Sequence, residues 1–142
     1  MTTPRIDIDE SPDPGLRDAI LKPLRAYNES KAGPIKPQLL AIALRDPDSG
    51  AITGGLWGSS AAGWLYVDLL VVPEEFRGQG LGTELLRKAE DVAIKRGCTG
   101  LFLSTGSFQA PRFYEKLGFT AFGSLPDYPP GHTTTYYSKR LA

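Results

Sequence analysis

The chain has 142 residues, enough for one domain whose core needs no disulfide or metal staple. Sixteen basic residues balance sixteen acidic ones, so no global field draws the protein to nucleic acid or an anionic membrane, and a small partner is favoured. The single cysteine, Cys98, excludes an internal disulfide framework and fits a reducing compartment. No stretch approaches the ~20 apolar residues of a membrane span and the N-terminus lacks an apolar leader core, so a cytoplasmic location is expected.

In chain order, residues 5 to 10 alternate apolar and acidic side chains and predict a short edge strand ended by SPDPG. Asp13 and Pro14 suit a helix start, and Leu16, Ile20, Leu21 and Leu24 keep helical spacing to about Tyr27. NESKAGPIKP reads as loop. QLLAIALR and AITGGLWGS flank DPDSG, whose Asp, Pro and Gly predict a hairpin turn. GWLYVDLLVV, residues 63 to 72, is the most strand-like run, and Pro73 ends it. Leu81, Leu85, Leu86, Ala89, Val92 and Ala93 mark one face of a helix closed by Gly97, with Glu84–Lys88 and Asp91–Lys95 pairs on its wet face.

LFLST predicts a second buried strand, followed by a short helix from about Ala110 to Leu117 in which Ala110, Phe113, Tyr114 and Leu117 share a face. Two further strands, around 120 to 125 and 133 to 141, are separated by PDYPPGH. The order β-α-β-β-β-α-β-α-β-β predicts an α/β fold around a mixed sheet, in a single domain over residues 1 to 142.

The stretch VVPEEFRGQGLGTELL, residues 71 to 86, joins a strand end to a helix start through alternating glycines. Unpaired first-turn N–H groups and the positive end of the helix dipole make such a junction an anion site. A Walker-type phosphate loop fails because Gly82 is followed by Thr83 with no lysine. A dinucleotide fingerprint fails too, since Thr83 stands where its third glycine belongs. What survives is Arg77-x-x-Gly80-x-Gly82, a fixed cation beside bare backbone, suited to a bulky anion such as a pyrophosphate.

LLVVPEEFRGQGLGTELL resembles the acetyl-CoA signature of the GNAT N-acetyltransferase superfamily, and FQAPRFYEKLGF, residues 108 to 119, resembles its second cofactor segment in the expected order and separation. The likeness covers roughly residues 38 to 142. It implies a mixed, mostly antiparallel sheet flanked by helices and splayed between the strands ending in Val72 and Ser104, with acetyl-CoA (coenzyme A) as cofactor. It further implies that the backbone of Arg77, Gly78, Gln79, Gly80, Leu81, Gly82 and Thr83 holds the pyrophosphate, that the pantetheine arm lies along Leu70, Val71 and Val72, and that the Leu70 amide faces the thioester oxygen. Relatives of this kind often form dimers.

Within that frame Tyr114 matches the family's general-acid tyrosine, and Ser107 falls where many relatives have a cofactor-contacting asparagine. A phenol of pKa about 10 can protonate a departing thiolate. Asp68 lies two residues before Leu70, hence on the same face by strand alternation, and a charge within so apolar a strand is costly unless used or paired, which makes it a base candidate. Phe102 departs from the family pattern, standing where some relatives carry a glutamate base. Tyr27 and Asn28, together with Asp127, Tyr128 and His132, are candidate substrate contacts, without a readable code for the acceptor. The expectation is acetyl transfer to a primary amine of a small molecule or peptide by direct attack in a ternary complex, the other class being a non-catalytic acyl-CoA-binding sensor or interaction module.

Overall fold

A computed structural model describes residues 2–141. They fall into two units, one up to Ile35 and one from Lys36 onward.

The first unit holds helix α1, Pro14–Ala32. Asp13 caps it by accepting from the Leu16 N–H at 3.2 Å, with proline in the first turn. The helix runs past Tyr27 through Asn28 to Ala32, correcting the expected loop. Gly33 ends it, at φ 81°, with its N–H donating to the Glu29 carbonyl. Residues 5 to 10 form no strand: Ile6 and Ile8 are about nine-tenths exposed, and Arg5 pairs with Asp7 at 2.9 Å. Alternation alone supplies no ladder partner.

The second unit is a six-stranded sheet with two helices. Its elements are β1 (Gln38–Arg45), β2 (Ile52–Ala61), β3 (Trp64–Val71), α2 (Leu81–Lys95), β4 (Gly100–Gly106), α3 (Pro111–Lys116), β5 (Thr120–Pro126) and β6 (Thr133–Arg140), with a single 3-10 turn at Glu74–Phe76. The strand order is β1-β2-β3-β4-β6-β5. Every neighbouring pair is antiparallel except β3 with β4. This is the mixed, mostly antiparallel sheet that the resemblance implied.

The core lies where α2 lays Leu85, Leu86, Ala89 and Ala93 on Leu65, Val67, Leu101 and Leu103. Leu65, Leu86, Leu101 and Leu103 are fully buried, each worth about 1.5–3 kcal/mol relative to exposure. Cys98, half-buried, packs against this cluster as a small filler. The ion pairs among the described residues are Arg5–Asp7 and Lys139–Glu90, so the expected Glu84–Lys88 and Asp91–Lys95 rungs do not form. The Lys139 ammonium instead reaches Glu90 at 2.7 Å and ties β6 to α2. Among the described residues no helix is long and apolar enough to cross a membrane.

Regular pairing breaks down at two places along β3. The β3–β4 ladder contains only Trp64↔Gly100, Leu65↔Leu101 and Tyr66↔Phe102, after which the strands part. On the other edge of β3, Trp57 faces Leu69 while its neighbour Gly58 faces Val67, leaving Asp68 as the extra residue of a bulge.

Candidate active site

The parting of β3 and β4 opens a cleft of about 830 Å³. One wall is the β3 end from Val67 to Val72, the other is Leu103, Ser104 and Thr105 of β4. The mouth is closed by the Arg77–Thr83 loop on one side and by Gln109, Ala110, Phe113 and Tyr114 on the other. Beyond Tyr66 the edge of β3 that faces β4 has no ladder partner, so main-chain groups there are open to an extended ligand.

The glycine loop is built for close approach. Gly78 and Gly80 sit at φ 80° and 83°, a region L side chains rarely adopt, and a Cβ on either would meet nothing within 4 Å. Gly80 is also the N-cap of α2 and offers no side-chain acceptor to the first-turn N–H groups. Those donors and the helix dipole converge on the cleft mouth. Arg77 donates through Nε to the Val72 carbonyl at 3.1 Å, binding the loop to the end of β3, and it joins no ion pair among the described residues. This set of bare backbone, free donors and an uncommitted cation fits a pyrophosphate.

Tyr114 lines the cleft from α3. Its ring is bracketed by Phe113 at 5.2 Å, Phe119 at 5.9 Å and Tyr137 at 6.2 Å between centroids. Burial pushes its phenol above the ordinary value, which keeps the proton in place at neutral pH. Phe102 packs on Tyr66 at 4.9 Å, at the last paired rung before the cleft.

Asp68 lines the cleft but not for the expected reason. Its side chain is exposed rather than buried among apolar neighbours, so the desolvation argument falls away. The premise of strict alternation also fails across it: Leu65 and Val67 face the core before the bulge, Leu70 and Val72 pack against it afterwards.

Leu70, Val71, Val72, Arg77, Gly78, Gly80, Leu81, Gly82, Thr83 and Tyr114 all line the cleft, whereas Gln79 and Ser107 are not among its walls. The Ser107 hydroxyl accepts from the Thr133 N–H at 3.1 Å and holds its loop to β6. Asp127, Tyr128 and His132 belong to the β5–β6 turn, also outside the walls, although the His132 ring meets Phe108 of the cleft edge-on at 5.0 Å. Tyr27 and Asn28 both lie in α1, Tyr27 exposed with the Lys31 ammonium 5.8 Å above its ring.

Sequence reasoning missed Phe76, Phe108, Gln109 and Phe113 as walls. Gln109 had no local signal, because its role arises on folding: its Oε1 accepts from the Gly106 N–H at 2.6 Å and from the Thr105 hydroxyl at 3.1 Å, closing the end of β4.

Comparison with known proteins gives the family and the fold. The model of the acetyltransferase (GNAT) family matches residues 15–119. An acetyltransferase of Agrobacterium fabrum is 45% identical over 129 residues, 91% of this chain and 93% of that protein. Blasticidin-S acetyltransferase of Streptomyces morookaense is 39% identical over 119 residues, 83% of this chain and 88% of that protein. Among solved structures, an acetyltransferase from Bacillus cereus superposes with a TM-score of 0.83 at 30% identity, covering 95% of this chain and 98% of that one. Enzymes of this family use acetyl-CoA, and the chain belongs to the GNAT acetyltransferase family.

Proposed function

We propose that the protein transfers an acetyl group from acetyl-CoA to a primary amine of a small molecule, by direct attack within a ternary complex, in the cytoplasm. The observation that carries this reading is the cleft itself: it runs from the unpaired edge of β3 to the glycine turn, with Tyr114 in its wall. Acetyl-CoA, when bound, supplies the thioester whose carbonyl carbon the amine attacks and whose sulfur leaves as the coenzyme thiol.

The residues then divide the work. Backbone N–H groups of Gly78 to Thr83, with Arg77, hold the pyrophosphate, and Gln79 contributes main chain only. Leu70, Val71 and Val72 offer main-chain partners to the pantetheine arm, and the Leu70 N–H donates to the developing oxyanion. Tyr114 Oη gives its proton to the departing sulfur. The acceptor ammonium must first lose a proton, and Asp68, exposed in the cleft, can take it directly or through water. We assign Ser107 to loop support rather than to the cofactor, and keep Asp127, Tyr128, His132, Tyr27 and Asn28 as candidate acceptor contacts.

A small acceptor is supported by the relative named for blasticidin S, which matches most of this chain. Function as a single domain is supported by the family match, which begins at residue 15 in the first unit and runs to residue 119 in the second. Balanced charge gives no drive toward nucleic acid or membrane. The test is free-thiol release from acetyl-CoA across a panel of small amines, polyamines, nucleoside-type antibiotics and peptides. Release above the no-amine blank with small amines is expected. Tight coenzyme binding with no release from any amine would favour the non-catalytic module.

A further inference from the structure

Resting on the reading of Tyr114 as proton donor, we infer that Glu115 and Tyr137 form a positioning pair that fixes the rotation of α3 and so aims the Tyr114 hydroxyl into the cleft. The six residues of α3 are too few to hold a helix by themselves, and its N-cap has no side-chain hydrogen bond. Its orientation must therefore be set from outside.

Phe113, Tyr114 and Leu117 pack on the core, but apolar contact is non-directional. The directional link is the buried Tyr137 hydroxyl, which donates to Glu115 Oε1 at 3.0 Å. Neighbouring helix positions lie about 100° apart, so holding Glu115 fixes the direction in which Tyr114 projects.

Tyr137 acts at two points. Its ring lies 6.2 Å from that of Tyr114, tilted by 31°, while its hydroxyl holds the next residue. It is anchored in turn by its register opposite Leu103, a cleft wall on β4. Sheet, cleft and proton donor are thereby joined through one side chain that need not touch substrate. Its hydroxyl is bonded to Glu115 and is not itself among the cleft walls.

The experiment measures kcat, the KM for acetyl-CoA and the thermal midpoint for Tyr137→Phe, Glu115→Ala and Glu115→Gln, in the native chain and in a Tyr114→Phe background. Glu115 is exposed and Tyr137→Phe keeps the ring, so these variants fold. Tyr137→Phe and Glu115→Ala should each lower kcat about tenfold with KM within about twofold. Glu115→Gln, which keeps an acceptor, should retain most of the rate. In the Tyr114→Phe background, neither should lower the rate further. Native kcat in Glu115→Ala, or an additional loss in the Tyr114→Phe background, overturns the inference. Native turnover in Tyr114→Phe itself overturns the donor reading beneath it.

Discussion

Gly82 in the first turn of α2 lies against the ring of Phe113 in α3, so closely that a Cβ added there would stand 3.0 Å from Phe113 Cζ. The glycine turn and the helix bearing Tyr114 therefore meet at a contact that any Cβ would crowd. Gly82→Ala must displace the Phe113 ring by a few tenths of an ångström, and that ring is 5.2 Å from Tyr114. Overpacking at the low end of its usual range costs about 1 kcal/mol of stability, and the displaced ring should separately lower kcat/KM for acetyl-CoA roughly fivefold. Alanine is the better helix former by about 1 kcal/mol, so the thermal midpoint should not fall. Steady-state kinetics beside a melting curve check both halves; unaltered kcat/KM would mean that the two helices do not communicate here.

The sequence made the second unit legible and the first only partly so. Periodicity located α2 and the hairpin because Leu85, Leu86 and Ala89, or Leu40, Ile42 and Leu44, are patterned by the core they meet. Residues 5 to 10 carried the same kind of signal with no neighbour to meet, and a strand exists only as a pair. The cleft and its Tyr114 wall were foreseen from two motifs, but its other aromatic walls and its amide wall were not. Phe76, Phe108 and Gln109 reach it through a 3-10 turn and a loop closure that no period encodes. The bulge at Asp68 was invisible for a related reason: alternation read along one strand assumes a regular partner, and the extra residue is defined only against β2.

Alkaline conditions should destabilise the native state through two phenols. Burial raises Tyr114, and burial followed by the bond to Glu115 raises Tyr137. In the unfolded chain both ionise near pH 10. A group whose folded pKa is raised contributes stability that is complete below the unfolded value and is lost as pH rises through the folded one. Melting curves from about pH 8 to about pH 11 should fall more steeply for the native chain than for the Tyr114→Phe/Tyr137→Phe double variant. Equal slopes would contradict the burial of these phenols. Turnover should likewise show no basic loss assignable to Tyr114 below about pH 10.

Arg96, at the end of α2, separates stability from chemistry. Its Nη1 donates to the Gln38 carbonyl and the Ser60 hydroxyl, and its Nη2 to the Leu39 carbonyl, each at 3.0 Å. These bonds clamp the edge strand β1 and its neighbour β2, remote in sequence from the helix. Arg96→Ala should cost about 2 kcal/mol in chemical denaturation while leaving kcat per folded molecule unchanged. A drop in kcat at full folding would show that the β1 edge reaches the cleft.

The most direct test compares the native chain with Tyr114→Phe in acetyl-CoA turnover with an accepted amine, following free-thiol release while calorimetry reports coenzyme affinity. Removing a general acid should lower kcat about a hundredfold or more, with affinity for the coenzyme unchanged. That outcome would establish acetyl transfer through this cleft with Tyr114 as its proton donor. Equal release by both proteins would contradict the account.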